Sequence, residues 1–326
     1  MAVLVTGGAG YIGSHTVLEL IKKGEDVIVL DNLENGYRDF VLGGKLIVGD
    51  LRDGSFVEDV FKKNKIDSVL HFAAYTSVEE SIKNPIKYYE NNVYGTINLL
   101  KAMVNNNVDK IIFSSTAAVY GISKNTPLTE TDVVMPQNIY GKTKLEVENI
   151  LESVKVAHGI KYIILRYFNA SGADEGGMIG EAHKNETHLI PLVLQVALGK
   201  KDKIYIYGDD YDTKDGTCIR DYIHVSDLAN AHIKALDKLR LDGLSGIYNL
   251  GNGVGFSVRE VIKIAKDVTK VSIKEEVTKR RKGDVPYLVA SYKKAKEELG
   301  WEPKYKNLRE IIETAWNWHK RYEKKE

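Results

Sequence analysis

The chain has 326 residues, 43% of them hydrophobic and 28% charged, with a formal net charge of +1 at pH 7. This is the composition of a globular protein of one large domain or two modest ones, and the near-zero charge speaks against nucleic-acid or membrane-surface binding. A single cysteine, Cys218, excludes an internal disulfide and suits a reducing cytoplasm, and no apolar run approaches the roughly 18 residues of a membrane span.

Short apolar runs alternate with helical patterns through the first half. Residues 2–6, 26–30, 45–48, 68–72, 110–113 and 161–165 read as strands, several nearly continuous in Val, Ile and Leu, as strands buried on both faces should be. The opening strand and its glycine turn do not read as a signal peptide. A helix starts near Pro85, with Ile86, Tyr89, Val93, Ile97, Leu100 and Val104 at three- and four-residue steps. The alternation predicts an α/β fold with a doubly wound parallel sheet of the Rossmann kind.

After about Asn169 the pattern changes. Residues 171–186 are rich in Gly, Asp, Glu and His and read as a loop. A helix (189–198), a short strand (204–207), a polar loop (209–216) and helices around 226–239, 257–268 and 307–319 follow. The expected division is a nucleotide-binding domain, 1–169, and a smaller α/β substrate domain, 170–326. Late segments often return to the first sheet, so the boundary is approximate. The terminal Lys-Lys-Glu reads as a solvated face.

Gly7, Gly10 and Gly13 form G-x-x-G-x-x-G in the run Thr6-Gly7-Gly8-Ala9-Gly10-Tyr11-Ile12-Gly13, between the first strand and the first helix. A tight turn and a close backbone approach to a pyrophosphate at a helix N-terminus require such glycines. Asp31 ends the second strand, at the distance where a carboxylate accepts the adenosine ribose hydroxyls and repels a 2′-phosphate, which favours NAD over NADP. Asp50-Leu51 closes the third strand, where an adenine can lie. Phe72-Ala73-Ala74 closes the fourth, where small residues allow the cofactor to approach.

Tyr140 and Lys144 stand four apart, so on a helix they share a face. A Tyr of ordinary pKa about 10 is a poor base at neutral pH. A close ammonium favours its phenolate and lowers that pKa.

With these residues in hand, the chain resembles the extended short-chain dehydrogenase/reductases, and among them the branch that inverts C4 of UDP-hexoses. The likeness runs along nearly the whole chain. It is carried by TGGAGYIGSH at the start, DNL at Asp31, HFAA at His71, NNVYGT at Asn91, FSSTAAVYG at Phe113, YGKTK at Tyr140 and RYFNASGA at Arg166. The second half adds HLIP at His188, DGTCIRDYIHV at Asp215, NLGNG at Asn249 and RRKGD at Arg280.

The resemblance implies a tightly bound NAD that is regenerated each turnover. Tyr140 would take the proton of the sugar 4-hydroxyl. Lys144 would lower the Tyr140 pKa and bind the nicotinamide ribose, and Thr116 would hydrogen-bond the 4-oxygen and help relay the proton. Cofactor contacts would come from Gly7, Gly10, Tyr11, Ile12, Gly13, Asp31, Asn32, Asn35, Asp50, Leu51, Phe72, Ala73, Ala74, Asn92, Ser114, Tyr140, Lys144 and Tyr167. On the substrate side, Arg220 and Arg281 would face the diphosphate of a UDP-hexose, with Asn169 and His188 near it. Tyr207 would lie against the uracil, Asp284 near the uridine ribose, and Leu189 over the nucleotide.

Departures sharpen this reading. Related 4,6-dehydratases carry an Asp-Glu pair after the Thr, and a decarboxylase would also be expected to carry an acid there. Here Ala117 and Ala118 stand in those places, and methyls move no protons. Thr76 stands where some epimerases have a cofactor-side Lys. Leu288 is intermediate between the bulky Tyr that excludes an N-acetyl group and the small residue that admits one. UDP-glucose and UDP-galactose are therefore the expected pair. A UDP-N-acetylhexosamine epimerase and a non-catalytic NAD-binding regulator remain as alternatives.

A homodimer is implied through the helices near 85–104 and 140–158; the second carries Val147, Ile150, Leu151, Val154 and Ala157 on a broad apolar stripe that could instead only cover the sheet. The eight histidines show no Cys or His partner spacing, His183 and His188 included, and no metal is expected.

Overall fold

The structure, a computed structural model, describes residues 1–121, 126–281 and 284–322. Lys282 of the basic run and the terminal Lys-Lys-Glu lie outside the described residues.

The first half is built of β1 (Ala2–Thr6), α1 (Tyr11–Lys22), β2 (Val27–Asp31), β3 (Lys45–Val48), α2 (Gly54–Lys63), β4 (Ile66–His71), α3 (Val78–Lys83), α4 (Pro85–Tyr88), α5 (Gly95–Asn105), β5 (Lys110–Thr116), α6 (Ile139–His158) and β6 (Lys161–Tyr167). Then come β7 (Asn169–Ser171), α7 (Leu189–Ala197), β8 (Ile204–Tyr207), β9 (Ile219–His224), α8 (Val225–Leu241), β10 (Gly246–Leu250), β11 (Gly255–Ser257), α9 (Val258–Thr269), β12 (Glu275–Thr278), β13 (Tyr287–Leu288), α10 (Lys293–Leu299) and α11 (Leu308–Tyr322).

Seven strands form one parallel sheet in the order β10-β6-β5-β4-β1-β2-β3. The order reverses between β1 and β4, which opens a crevice at their carboxyl ends, the usual ligand position in such sheets. One core cluster covers each face of the sheet. Val3, Val5, Val29, Leu70 and Ile112 pack towards α8, and Leu4, Leu30, Val69, Ile111 and Phe113 pack towards α2, α5 and α6. Full burial on both faces explains the unalternating Val/Ile/Leu runs.

The second half has a separate core around Ile190, Leu194, Ile206, Tyr222, Val261 and Ile311. Its strands β7, β9, β11 and β13 form one small sheet, and β8 and β12 pair in another. Two late elements serve the first sheet: β10 pairs in parallel with β6, and α8 packs along α1.

The helix expected from Pro85 onwards is interrupted. Residues Tyr89–Tyr94 wind as a π-turn between α4 and α5. An extra residue in the turn re-phases the side chains, a device concentrated at functional sites. Here it aims Asn92 inward, where Nδ2 donates to the Tyr75 carbonyl (3.0 Å) and to Thr143 Oγ1 (3.1 Å), and Oδ1 accepts the Tyr75 N–H (2.8 Å). Asn92 thus ties the segment after β4 to α6.

Candidate active site

The glycine turn lies at the crevice. Gly7 has φ +72°, and a Cβ there would lie 2.5 Å from the Ala73 nitrogen; a Cβ on Gly13 would lie 2.2 Å from the Gly7 carbonyl oxygen. A Cβ on Gly10 would meet only that same carbonyl, at 3.3 Å, so the outer side of the turn is open. The N-cap of α1 is Gly10, which supplies no side-chain acceptor to the first helical N–H groups. Open backbone donors at the positive end of a twelve-residue helix fit a pyrophosphate.

Asp31 is 8% exposed, and its carboxylate accepts N–H bonds from Ala9 (3.0 Å) and Leu33 (2.8 Å), which join the end of β2 to the turn. Burial raises its pKa against those two bonds. Asn32 Nδ2 donates to Asp50 at 2.9 Å, and Arg52 grips Asp50 through two nitrogens at 2.9 and 2.7 Å, holding its carboxyl well below the usual range. Asn32 and Asp50 are thereby adjacent just past the ends of β2 and β3. Asn35 is exposed. Leu51 is buried, and Ala73 packs against the same core. Phe72 turns instead to the His232 ring, with centroids 4.5 Å apart.

α6 is capped by the Asn138 side chain, which accepts the Gly141 N–H at 2.8 Å. A Cβ on Gly141 would lie 2.6 Å from the Ala118 carbonyl oxygen, so this glycine lets the start of α6 press on the end of β5. Tyr140 stands in the first turn of α6 and Thr116 ends β5, so the two residues flank this close approach. Lys144, 2% exposed, donates to the Ser114 carbonyl at 2.7 Å and lies 4.9 Å from the centre of the Phe113 ring. The Ser114 hydroxyl pairs with the Tyr167 phenol.

Burial pushes the Tyr140 phenol up to about 12, with the Thr116 hydroxyl working the other way. Burial also pulls Lys144 down to about 7, against the pull of Glu148. The depression of Tyr140 by Lys144 expected from the spacing is therefore not the dominant effect in the protein chain alone. Removing both groups from water disfavours both charged forms.

On the substrate side, Arg220 Nη1 donates to the Val285 carbonyl (2.8 Å), and its Nη2 lies 3.4 Å from Asp284. The Arg281 guanidinium stacks 3.7 Å from the centre of the Tyr207 ring. Asn169 Nδ2 donates to the Asp221 carbonyl (2.9 Å), which fixes β7 beside β9. His188 is the N-cap of α7, Leu189 is its first residue, and the His188 imidazole pairs with Glu181. Leu288 packs against the cluster of Ala117, Val119, Tyr120 and Phe168, next to Thr116.

Three supporting features were not apparent from motif spacing. His71 bridges Thr6 (2.6 Å) and Thr96 (2.8 Å), and burial holds its pKa down to about 3, so it is neutral. Glu148 and Arg166, 18 residues apart, form a buried pair that Ser115 and Tyr120 join. Tyr11 reaches across to the Gly172 carbonyl at 2.6 Å and so links the glycine turn to the second half. Only HFAA and RYFNASGA hinted at the first two; nothing in the sequence pairs Tyr11 with Gly172.

A half-buried phenol and a buried amine one helical turn apart, at the carboxyl edge of a parallel sheet that also carries a dinucleotide turn, are the arrangement of the short-chain dehydrogenase/reductases, here in their extended form. The chain belongs to the NAD dependent epimerase/dehydratase family, whose profile matches residues 3–251. It is 55% identical to a UDP-glucose 4-epimerase of Halalkalibacterium halodurans, over 99% of this chain and 96% of that one. A crystal structure of a UDP-glucose 4-epimerase, 52% identical, superposes with a TM-score of 0.96 over 98% of both chains. The enzyme of the same name from Bifidobacterium longum, solved with NAD+ and UDP, is 43% identical, with a TM-score of 0.94 over 98% of both chains. The cofactor of this family is NAD, which fits the open turn and the Asp31 carboxylate.

Proposed function

We propose that the protein inverts C4 of UDP-glucose and UDP-galactose, in both directions, with NAD retained between turnovers. The observation that carries the reading is Lys144, buried one turn after Tyr140 and bonded to the Ser114 carbonyl of β5, with Ala117 and Ala118 following Thr116 at the strand's end. Bound NAD supplies a reversible two-electron acceptor, so C4 can be oxidised to a ketone and reduced again from its other face.

The chain's own residues divide the remaining work. As the phenolate, which a charged Lys144 and bound NAD would favour, Tyr140 Oη takes the proton of the 4-hydroxyl and later returns it, with Thr116 Oγ1 bonded to the same sugar oxygen. Lys144 Nζ, fixed by the Ser114 carbonyl, presents a positive charge towards the phenol and the cofactor ribose. Asp31 and the glycine turn hold the adenosine and pyrophosphate ends. Inversion needs a loosely held hexose on a firmly held handle. Arg220, Arg281, Asn169 and His188 hold the diphosphate, and Tyr207, Asp284 and Leu189 hold the uridine.

Leu288, partly buried beside Ala117 and Phe168, sets the space next to the hexose. Its intermediate size supports a second, weaker activity on UDP-N-acetylhexosamines. We assign residues 1–169 to the NAD side and 170–326 to the UDP-sugar side, with β10 and α8 returning to the first. The apolar surface of α3, α4 and the π-turn, where Ile82, Ile86 and Tyr94 are 62%, 71% and 50% exposed, supports a homodimer. The stripe on α6 supports it less, since Val147 and Leu151 are buried and Ile150 and Val154 face the sheet. We place the protein in the cytoplasm on its single buried cysteine; among the described residues no helix is long and apolar enough to cross a membrane.

Purified protein mixed with UDP-galactose, with no NAD added, tests the proposal by proton NMR. Appearance of UDP-glucose is expected. No conversion of either UDP-hexose or UDP-N-acetylhexosamine, even with added NAD, would favour the non-catalytic alternative.

A further inference from the structure

The loop before α7 gathers four side chains, Glu181, His183, Glu186 and His188, in which carboxylates stand where Cys or His partners would make a metal site legible from spacing. Each offers one ligand atom, and all four atoms lie within 4.8 Å of one another. His183 Nδ1 is 3.2 Å from Glu181 and 3.4 Å from Glu186; His188 Nδ1 is 3.8 Å from Glu186 and in direct contact with Glu181. A tetrahedral zinc with bonds of about 2.0–2.1 Å sets its ligands about 3.3–3.4 Å apart. The two distances from His183 already match that figure, and those from His188 fall on either side of it.

We propose that Glu181, His183, Glu186 and His188 form a binding site for a divalent transition-metal ion of the zinc type, which fastens the loop leading into α7. The donor set is two imidazole nitrogens and two carboxylate oxygens. Such a set suits Zn2+ and disfavours Mg2+ or Ca2+, which take all-oxygen shells. Both carboxylates are 4% exposed at the side chain, so their charges are held out of water beside the two imidazoles. One dication balances both, with the two imidazoles binding it as neutral ligands.

The surroundings are built to hold the ligands still. Trp318 Nε1 donates to the Glu181 carbonyl at 3.1 Å, which anchors the loop to α11. Lys184 reaches the Glu34 carbonyl at 2.8 Å. The Tyr11 ring stands edge-on to His183, with centroids 6.3 Å apart. The site therefore lies between the glycine turn and the first residues of α7. It does not depend on which sugar the enzyme takes.

The test uses the full-length, NAD-containing protein without an affinity tag, treated with a chelator and dialysed. Co2+ is added and visible absorption recorded; Zn2+ is then titrated against a chromophoric chelator. The expected result is one equivalent bound, with the intense bands of four-coordinate Co2+, displaced by Zn2+. His183→Gln and Glu186→Gln, each checked for native circular dichroism and retained NAD, should lose the bands. His158→Gln, outside the cluster, should keep them. Binding no tighter than that of His183→Gln, or loss only with His158→Gln, would overturn the proposal and leave the cluster as an ion-paired loop.

Discussion

The Lys144 ammonium donates to the Ser114 carbonyl at 2.7 Å, so the residue one turn after Tyr140 is anchored to β5. That bond fixes where the positive charge sits relative to the phenol. It also keeps a flexible side chain ordered in a place where water cannot reach it.

Tyr140→Phe should keep the fold and the bound NAD and lower kcat by about 10²–10⁴-fold, the usual share of a positioned acid–base group. Lys144→Met should lower kcat and also weaken NAD retention, since the same amine serves both. Steady-state kinetics together with cofactor content of the denatured proteins separates the two effects. A Tyr140→Phe variant with parental kcat would remove this residue from the mechanism.

The lowered pKa of Lys144 makes a signed prediction. Its folded value is about 7 against an ordinary 10.5, so between these the unfolded chain binds the extra proton. Stability then rises with pH across that window, and the cost of burying the charge is fully present below about pH 7. In NAD-free protein, Lys144→Met should be the more stable form at pH 6, and its advantage should fade towards pH 10. Urea unfolding at several pH values measures this, and a pH-independent difference would contradict it.

Gly13→Ala should abolish NAD binding, because its Cβ would stand 2.2 Å from the Gly7 oxygen inside the turn. Backbone, not a flexible side chain, would have to move. Chromatography of the denatured variant should find little or no NAD. A stoichiometric amount would show that the turn tolerates displacement.

Ile86→Asp should shift the protein from dimer to monomer in analytical ultracentrifugation, with the fold preserved, because Ile86 is 71% exposed on an apolar surface. A parent protein already monomeric at micromolar concentration would rule out this interface.

Much of the first half was legible because its signals are local. A strand buried on both faces is a run of Val and Ile, and a dinucleotide turn is three glycines. Tyr140 and Lys144 need only one helix to meet. What escaped was non-local. β10 reads like any short apolar run, and only the register with β6 shows that it completes the first sheet. β9 was hidden in Ile219–His224, where Arg, Asp and His interrupt the apolar pattern and are accommodated by buried partners. The π-turn at Tyr89–Tyr94 leaves the helical spacing of the sequence nearly intact. On the substrate side, the contact of Arg220 with Asp284 spans 64 residues and could be reached only through resemblance.

The central claim is inversion at C4 through oxidation and return of the same hydrogen. UDP-galactose carrying deuterium at sugar C4 should be converted in ordinary water, with no NAD added, to UDP-glucose that retains the deuterium at C4, as read by NMR. Replacement by solvent protium, or conversion only with added NAD, would contradict it.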